Sequence, residues 1–221
     1  SIVSESESKN NPCVCLLPIG ETQFLAKNKN LETVEYQNLP HTLGFLFGFF
    51  ARLNPATAKT INIEEISTTI EKTVVRLNRE IEEKLNPAKT VSQKHSQKAI
   101  LVLASGHLQG VANLFSGLVV KWSRTFSQSY SLADISKNIE SLVTYPTKVL
   151  NEYQVVILTS DLYPQATIKQ LELTKEILTK KRVNYSILKP DSDDWFNQIF
   201  ESVVFFVFFS YYLSIVNKVN I

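Results

Sequence analysis

Residues 99–110 read AILVLASGHLQG. Six apolar residues, Ala99 to Ala104, give way at once to serine, glycine and histidine, and then to a segment of helical spacing. A short unbroken apolar run closed by turn residues reads as a strand buried on both faces. Strands of that kind belong to parallel sheets, where crossover helices cover both sides. The residues after Ala104 therefore predict a strand-to-helix turn, with a helix over 108–124.

Working outward, the same alternation continues. Residues 154–159 (QVVILT) and 184–188 (NYSIL) read as strands, and 134–143, 164–181 and 191–216 as helices. Asp191, Ser192, Asp193 and Asp194 are expected to supply the cap and first-turn acids of the last helix. Upstream, Ile63, Ile66, Ile70, Val74, Leu77, Ile81 and Leu85 recur at helical spacing over 62–85, and Asn86-Pro87 closes that helix. Residues 12–18 (PCVCLLP) and 33–36 read as short strands, and 39–53 as an apolar helix with Pro40 in its first turn. Strands alternating with helices predict an α/β fold, a parallel sheet with helices on both faces. Such sheets bind ligands beyond the C-terminal ends of their strands, beside helix N-termini.

Composition bounds the function. Among 221 residues, 23 basic against 21 acidic side chains leave a formal charge of +2. That balance argues against nucleic acid as the main partner, since neutralising phosphates needs a clustered basic excess. The two cysteines, Cys13 and Cys15, are too few for a disulfide scaffold and read as buried thiols on one strand face. Residues 199–216 are long enough to approach a membrane span. Glu201, Ser202, Ser210 and Ser214 interrupt them and no basic cluster follows, so a buried helix is expected and no membrane partner. The first twelve residues are polar and show no secretory signal, so a cytoplasmic location is expected.

The chemistry concentrates at Ser105-Gly106-His107-Leu108-Gln109-Gly110. Backbone amides at a helix start, a hydroxyl and two glycines suit an anion such as a sugar phosphate. The Gly-Lys-Ser/Thr ending of a P-loop and the dinucleotide fingerprint are both absent. His107 is the candidate acid or base. His95, in the polar run SQKHSQK, reads as a solvated loop residue, and His41 opens the apolar helix behind Pro40. No Cys/His cluster has metal-ligand spacing, and there is no Gly-x-Ser-x-Gly nucleophile elbow. Lys121, Arg124 and Lys137, with Trp122, Asn138 and Glu140, read either as a basic patch that grips a phosphate or as exposed helix charges with packed stems.

The stretches SGHLQGVANLF, KWSRTF, DISKNIESL, VVILTSD and FFSYYLSIVNKVN together resemble the C-terminal half of the bifunctional phosphoglucose/phosphomannose isomerases, which are built from tandem sugar-isomerase (SIS) domains. NNPCVCLLPIGETQFLAKNKN followed by NLPHTLGFLFGF resembles the end of that family's first SIS domain. The resemblance implies residues 1–54 as the end of a first SIS domain, 55–97 as a linker helix region and 98–221 as a second SIS domain. It implies a flavodoxin-like fold and a homodimer with sites shared between subunits. The implied reaction is aldose–ketose isomerisation of hexose 6-phosphates, of the glucose 6-phosphate/mannose 6-phosphate type, through an enediol. No metal or organic cofactor is implied.

Carried over residue by residue, the family's pattern departs here. Its Pro-Arg pair reads Pro40-His41. Its catalytic Glu falls at or near Lys121, and its His-Asn pair falls on Lys137-Asn138. Its phosphate-binding Ser/Thr loops belong to sequence preceding Ser1. The expected catalytic residues are therefore His107, Glu140 and Lys137, and the expected substrate-binding residues Ser105, Gly106, His41, Lys121 and Asn138. The alternative is a catalytically degenerate SIS module that binds a hexose phosphate through its lysines. A third reading is an assembly subunit, with the apolar helices 39–53 and 191–216 forming a dimer interface.

Overall fold

A computed structural model of the chain describes residues 13–18, 31–36, 61–79, 86–135 and 153–219. Two units meet in sequence at Asn62 and Ile63. In the first, β1 (Cys13–Pro18) and β2 (Leu31–Tyr36) pair in parallel, Cys13 opposite Leu31 and Pro18 opposite Tyr36. The expected helix over 39–53, with His41, lies outside the described residues, as do Lys137, Asn138 and Glu140.

The second unit runs α1 (Ile63–Arg79), α2 (Pro87–Lys94), β3 (Ala99–Ala104), a 3-10 turn (Gly106–Leu108), α3 (Gln109–Ser123), β4 (Ser127–Ser131), β5 (Tyr153–Leu158), α4 (Gln165–Lys180), β6 (Tyr185–Leu188) and α5 (Trp195–Val216). Its four strands form one wholly parallel sheet in the order β4-β3-β5-β6. The α/β class expected from the alternation is what forms. β3 and β5 are central and buried over five of six positions each, which is why both are continuous apolar runs. β4 was not legible. Its sequence, SQSYS, has no apolar pattern, and it sits at the sheet edge, where a polar strand is tolerated.

α5 is the centre of the helical layer and packs against α1, α2 and α3. It is long and apolar enough to cross a membrane, with mean hydropathy 2.0, and its apolarity is used within the unit. Phe206 and Phe209 are fully buried; the Phe115 ring of α3 stacks on Phe206 at 3.9 Å and meets Phe209 edge-on at 5.0 Å.

Two boundaries and the burial of one histidine differ from the sequence reading. Asn86-Pro87 starts a helix rather than ending one. Pro87 takes the first helical position, and the Asn86 side chain accepts the Lys89 N–H at 3.1 Å. The same side chain donates to Leu77 O at 2.8 Å, tying α1 to α2. α5 starts at Trp195, and only Asp194 of the four polar residues caps it, accepting from Phe196 and Asn197 N–H. Asp191 and Ser192 instead offer their amides to Glu201 of α5. His95, expected in solvent, is fully buried at the end of α2. Its Nδ1 bonds Val91 O at 2.6 Å and its ring meets Phe209 edge-on at 5.6 Å. The polar residues around it in sequence are the rim, and the helical turn folds the imidazole inward.

Candidate functional site

From β3 the chain crosses to β4 on one side, and β5 then takes the opposite side of β3. The connections thus leave β3 and β5 in opposite directions, and the crevice beyond their C-terminal ends is the ligand position of an open parallel sheet. Two loops border it, 105–108 after β3 and 159–164 after β5, and the first turn of α5 closes one side.

Ser105, Gly106 and His107 follow β3 directly. Gly106 takes φ of +53°, a left-handed conformation that glycine adopts without a Cβ clash. The nearest atom to a Cβ built there is Tyr163 Cε1 at 3.9 Å, so the backbone, not space, selects glycine. The Ser105 N–H donates to Tyr163 Oη at 3.2 Å, and that hydroxyl donates to Leu158 O at 3.2 Å. Tyr163 thereby staples the two loops. Burial pushes its phenol up to about 12, so it remains a neutral donor at any physiological pH.

His107 stands edge-on to Tyr163 at 5.8 Å, and its Nε2 lies 2.8 Å from Oε1 of Gln198, in the first turn of α5. The same Oε1 accepts from Ser160 Oγ at 2.6 Å, while Ser160 Oγ accepts the Leu162 N–H at 3.0 Å. Gln198 and Ser160 are both buried, so this polar cluster is fixed rather than solvated.

The structure brings Ser105, Gly106 and His107 together, and adds Ser160, Tyr163 and Gln198, which the sequence reading missed. Ser160 and Tyr163 carried one signal: they follow an apolar strand, as Ser105 does. Gln198 carried none, being 91 residues from the histidine it holds. Lys121 is exposed in the last turn of α3. Twelve residues separate it from Gln109, roughly 18 Å of helix rise, so it is not part of this crevice within one chain.

A cavity of about 260 Å³ opens beside the end of β6, away from these residues. Leu158, Leu188, Phe205 and Phe206 form its apolar wall. Arg76 bonds Asp191 at 2.8 Å and lies 3.6 Å from Glu201, with its Nε buried and unpartnered among the described residues, and Lys189, which also lines the cavity, pairs with Asp161. Glu201 also accepts the Asp191 amide at 3.0 Å, the Ser192 amide at 3.1 Å and the Ser192 hydroxyl at 2.8 Å. That arrangement builds the β6–α5 loop; the β3/β5 crevice, which carries the histidine and the strand-to-helix turn at the switch point of the sheet, is the candidate site.

The model of the bacterial phospho-glucose isomerase C-terminal SIS domain matches residues 84–221. No curated protein matches the chain. Among solved structures, the chain is similar to a glucose-6-phosphate isomerase like protein from Thermus thermophilus, with TM-score 0.60 and 15% identity over 94% of this chain and 75% of that one. It is also similar to tagatose-6-phosphate ketose/aldose isomerase from Escherichia coli, with TM-score 0.54 and 16% identity over 90% of this chain and 60% of that one. A third likeness is to the C-terminal domain of glucosamine-fructose-6-phosphate aminotransferase from Francisella tularensis, with TM-score 0.53 and 14% identity over 71% of this chain and 44% of that one. At these identities the likenesses establish the fold alone, and the chain spans less than two thirds of the last two.

Proposed function

The chain belongs to the bacterial phospho-glucose isomerase C-terminal SIS-domain family, and from that membership we propose that it is a sugar-phosphate isomerase interconverting aldose and ketose hexose 6-phosphates in the β3/β5 crevice. The observation that carries the reading is the Ser105-Gly106-His107 turn at the switch point of the sheet, braced by Ser160, Tyr163 and Gln198. The reaction moves a proton between C2 and C1 through an enediol, which requires a base near those carbons and donors for the oxygen that gains charge. His107 is the base in this reading. The Ser105 hydroxyl and the amides of Gly106 and His107 are the donors, since a helical first turn leaves its leading N–H groups without intrahelical partners, while the Leu108 N–H already bonds Ser105 O.

His41, Lys121, Lys137 and Asn138 are proposed to reach the substrate phosphate, and Glu140 to assist ring opening. With Lys121 remote from its own chain's crevice, that contact would come from a second copy, so a homodimer is part of the proposal. No metal or organic cofactor is called for, and a cytoplasmic location is proposed with it. The test is a coupled assay of glucose 6-phosphate and mannose 6-phosphate conversion to fructose 6-phosphate, with His107→Asn beside the wild type. Wild-type turnover lost in the variant is expected. Turnover unchanged in the variant refutes the assignment of His107.

The second reading, a degenerate SIS module that binds a hexose phosphate without chemistry, is favoured by one feature. Lysines stand at the two positions where the resemblance places a carboxylate and an imidazole. A thermal shift with hexose 6-phosphates in the absence of any turnover is its signature.

A further inference from the structure

We infer that Gln198 is a positioning residue that holds neutral His107 as the Nε2–H tautomer, so that Nδ1 carries the lone pair presented for proton uptake. Its part in turnover rests on the isomerase reading; the tautomer itself does not.

The orientation of the Gln198 amide is fixed from its other end. Its Nε2 donates to Ser192 O at 2.8 Å. Turning the amide over would set Oε1 against that carbonyl oxygen, acceptor on acceptor, so only one orientation fits. Oε1 therefore faces both Ser160 and His107 and can only accept. The Ser160 hydroxyl proton fills one lone pair at 2.6 Å. Ser160 cannot donate to His107 instead, because it has one proton, and its oxygen already accepts from Leu162.

His107 Nε2, at 2.8 Å from the same Oε1, must then bring the hydrogen. An unprotonated Nε2 there would oppose two lone pairs. In neutral imidazole one nitrogen is a donor and the other an acceptor, so a hydrogen on Nε2 leaves Nδ1 bare. Nδ1 has no partner among the described residues. The chain of constraint runs from the β6–α5 loop through Gln198 to His107, and α5 anchors it: Asp194 caps the helix, and the Gln198 N–H bonds Asp194 O at 3.0 Å.

The step this permits is balanced within the site. The Nδ1 lone pair takes the proton from the carbon beside the substrate carbonyl. The C–H electron pair becomes the enediolate double bond, and the carbonyl oxygen takes the charge. The proton of the adjacent hydroxyl passes to the charged oxygen, the imidazolium returns its proton to the former carbonyl carbon, the adjacent C–O becomes the new carbonyl, and Nδ1 is bare again.

The experiment is long-range 1H–15N correlation on the uniformly 15N-labelled chain at pH 7.5, with the His107 signals assigned by their loss in His107→Asn. A protonated Nε2 and a pyridine-like Nδ1 are expected, and a protonated Nδ1 overturns the inference. In Gln198→Met, of similar volume but unable to accept as an amide does, the two nitrogens should shift toward averaged values. The kcat for glucose 6-phosphate should fall about 10- to 100-fold, with KM changing less than about twofold. An unaltered nitrogen pattern with unaltered kcat overturns it. If Gln198→Met does not fold, the wild-type spectrum alone decides the tautomer. A wild type that binds hexose phosphates without turnover overturns the isomerase reading and the proton-uptake role, while the spectrum still confirms or overturns Gln198 as the group that sets the tautomer.

Discussion

The buried imidazole of His95 makes an acid-labile stability term that can be isolated. Burial is the largest cause that lowers its pKa from 6.5 to about 4; the bond to Val91 opposes that, and Lys94 and Lys98 add to the lowering. Folded His95 is thus neutral where unfolded His95 begins to charge. Below pH 6.5 the unfolded chain binds more protons than the folded one, so stability falls as pH falls, until the folded state titrates near 4. The gap of 6.5 to about 4 sets the ceiling at about 3 kcal/mol. By the same linkage, about 2 kcal/mol of it is lost between pH 7.5 and pH 5. His95→Phe keeps a ring against Phe209, removes a buried Nε2 that has no partner, and gives up one hydrogen bond. That bond is worth about 1 kcal/mol, so the variant should be within roughly that amount of wild type at pH 7.5. Urea unfolding of both proteins at pH 7.5, 6, 5 and 4.5 is the assay. The wild type should lose about 2 kcal/mol more than the variant by pH 5, with His41, His107 and the carboxylates cancelling in the comparison. Parallel curves for the two proteins would refute the reasoning, as would an NMR titration of His95 midway above pH 6.

Four further outcomes follow from particular contacts. Glu201→Ala should cost about 3–5 kcal/mol in chemical denaturation, because it strips the Asp191 and Ser192 amides and Arg76 of a buried carboxylate at once. Arg76→Met should cost about 1 kcal/mol or less, since the carboxylate keeps its amide bonds and the arginine is partly exposed; equal losses in the two variants would contradict the amide-based account. Phe206→Ala should lower stability by about 3–5 kcal/mol, measured by thermal melting, through loss of the stack on Phe115 at the centre of the helical layer. Gly106→Ala meets no steric obstacle, so its cost should be the left-handed backbone alone, about 1–2 kcal/mol in a urea melt, with a larger effect on sugar-phosphate turnover than on stability.

The parts of this molecule that were legible are those where one physical demand dominates a run of neighbouring residues. β3 and β5 must be dry on both faces, and AILVLA and QVVIL announce it. α5 is apolar on nearly every side because three helices press on it, and that composition alone left open a membrane or a core. Within the unit, Phe206 and Phe209 pack against Phe115 of α3, a use of that apolarity the sequence could not show. Elements failed to register where the demand was weak or displaced. Edge strand β4 can be polar, so SQSYS carries no pattern. Asn86-Pro87 reads as a stop or a start with equal justice, because an asparagine cap and a proline at the first helical position use the residues that also end helices. His95 looked solvated because its polar neighbours in sequence are not its neighbours in space.

The candidate site divides along the same line. Ser105-Gly106-His107 could be found because the turn follows its strand without interruption, so sequence adjacency is spatial adjacency. Its supporting groups could not, because they arrive by other elements: Ser160 and Tyr163 through β5, and Gln198 through a helix capped by Asp194. Gln198 sits in a run that reads as capping signal followed by core helix, and nothing in that run marks one amide for a histidine 91 residues away. Its importance follows only from counting protons. Ser192 O fixes the amide, Ser160 takes one lone pair, and His107 is left with one tautomer that fits. Lys121 makes the complementary case. The resemblance sets it at the family's carboxylate position, yet helix rise puts it roughly 18 Å from its own turn. In the proposed reading, a basic residue so far along α3 meets the phosphate across a subunit boundary. Sedimentation of the chain with and without hexose phosphate therefore bears directly on the chemistry: a monomer that turns over substrate removes Lys121 from the site, and in a dimer Lys121→Ala should weaken hexose phosphate binding if the lysine reaches the partner's crevice.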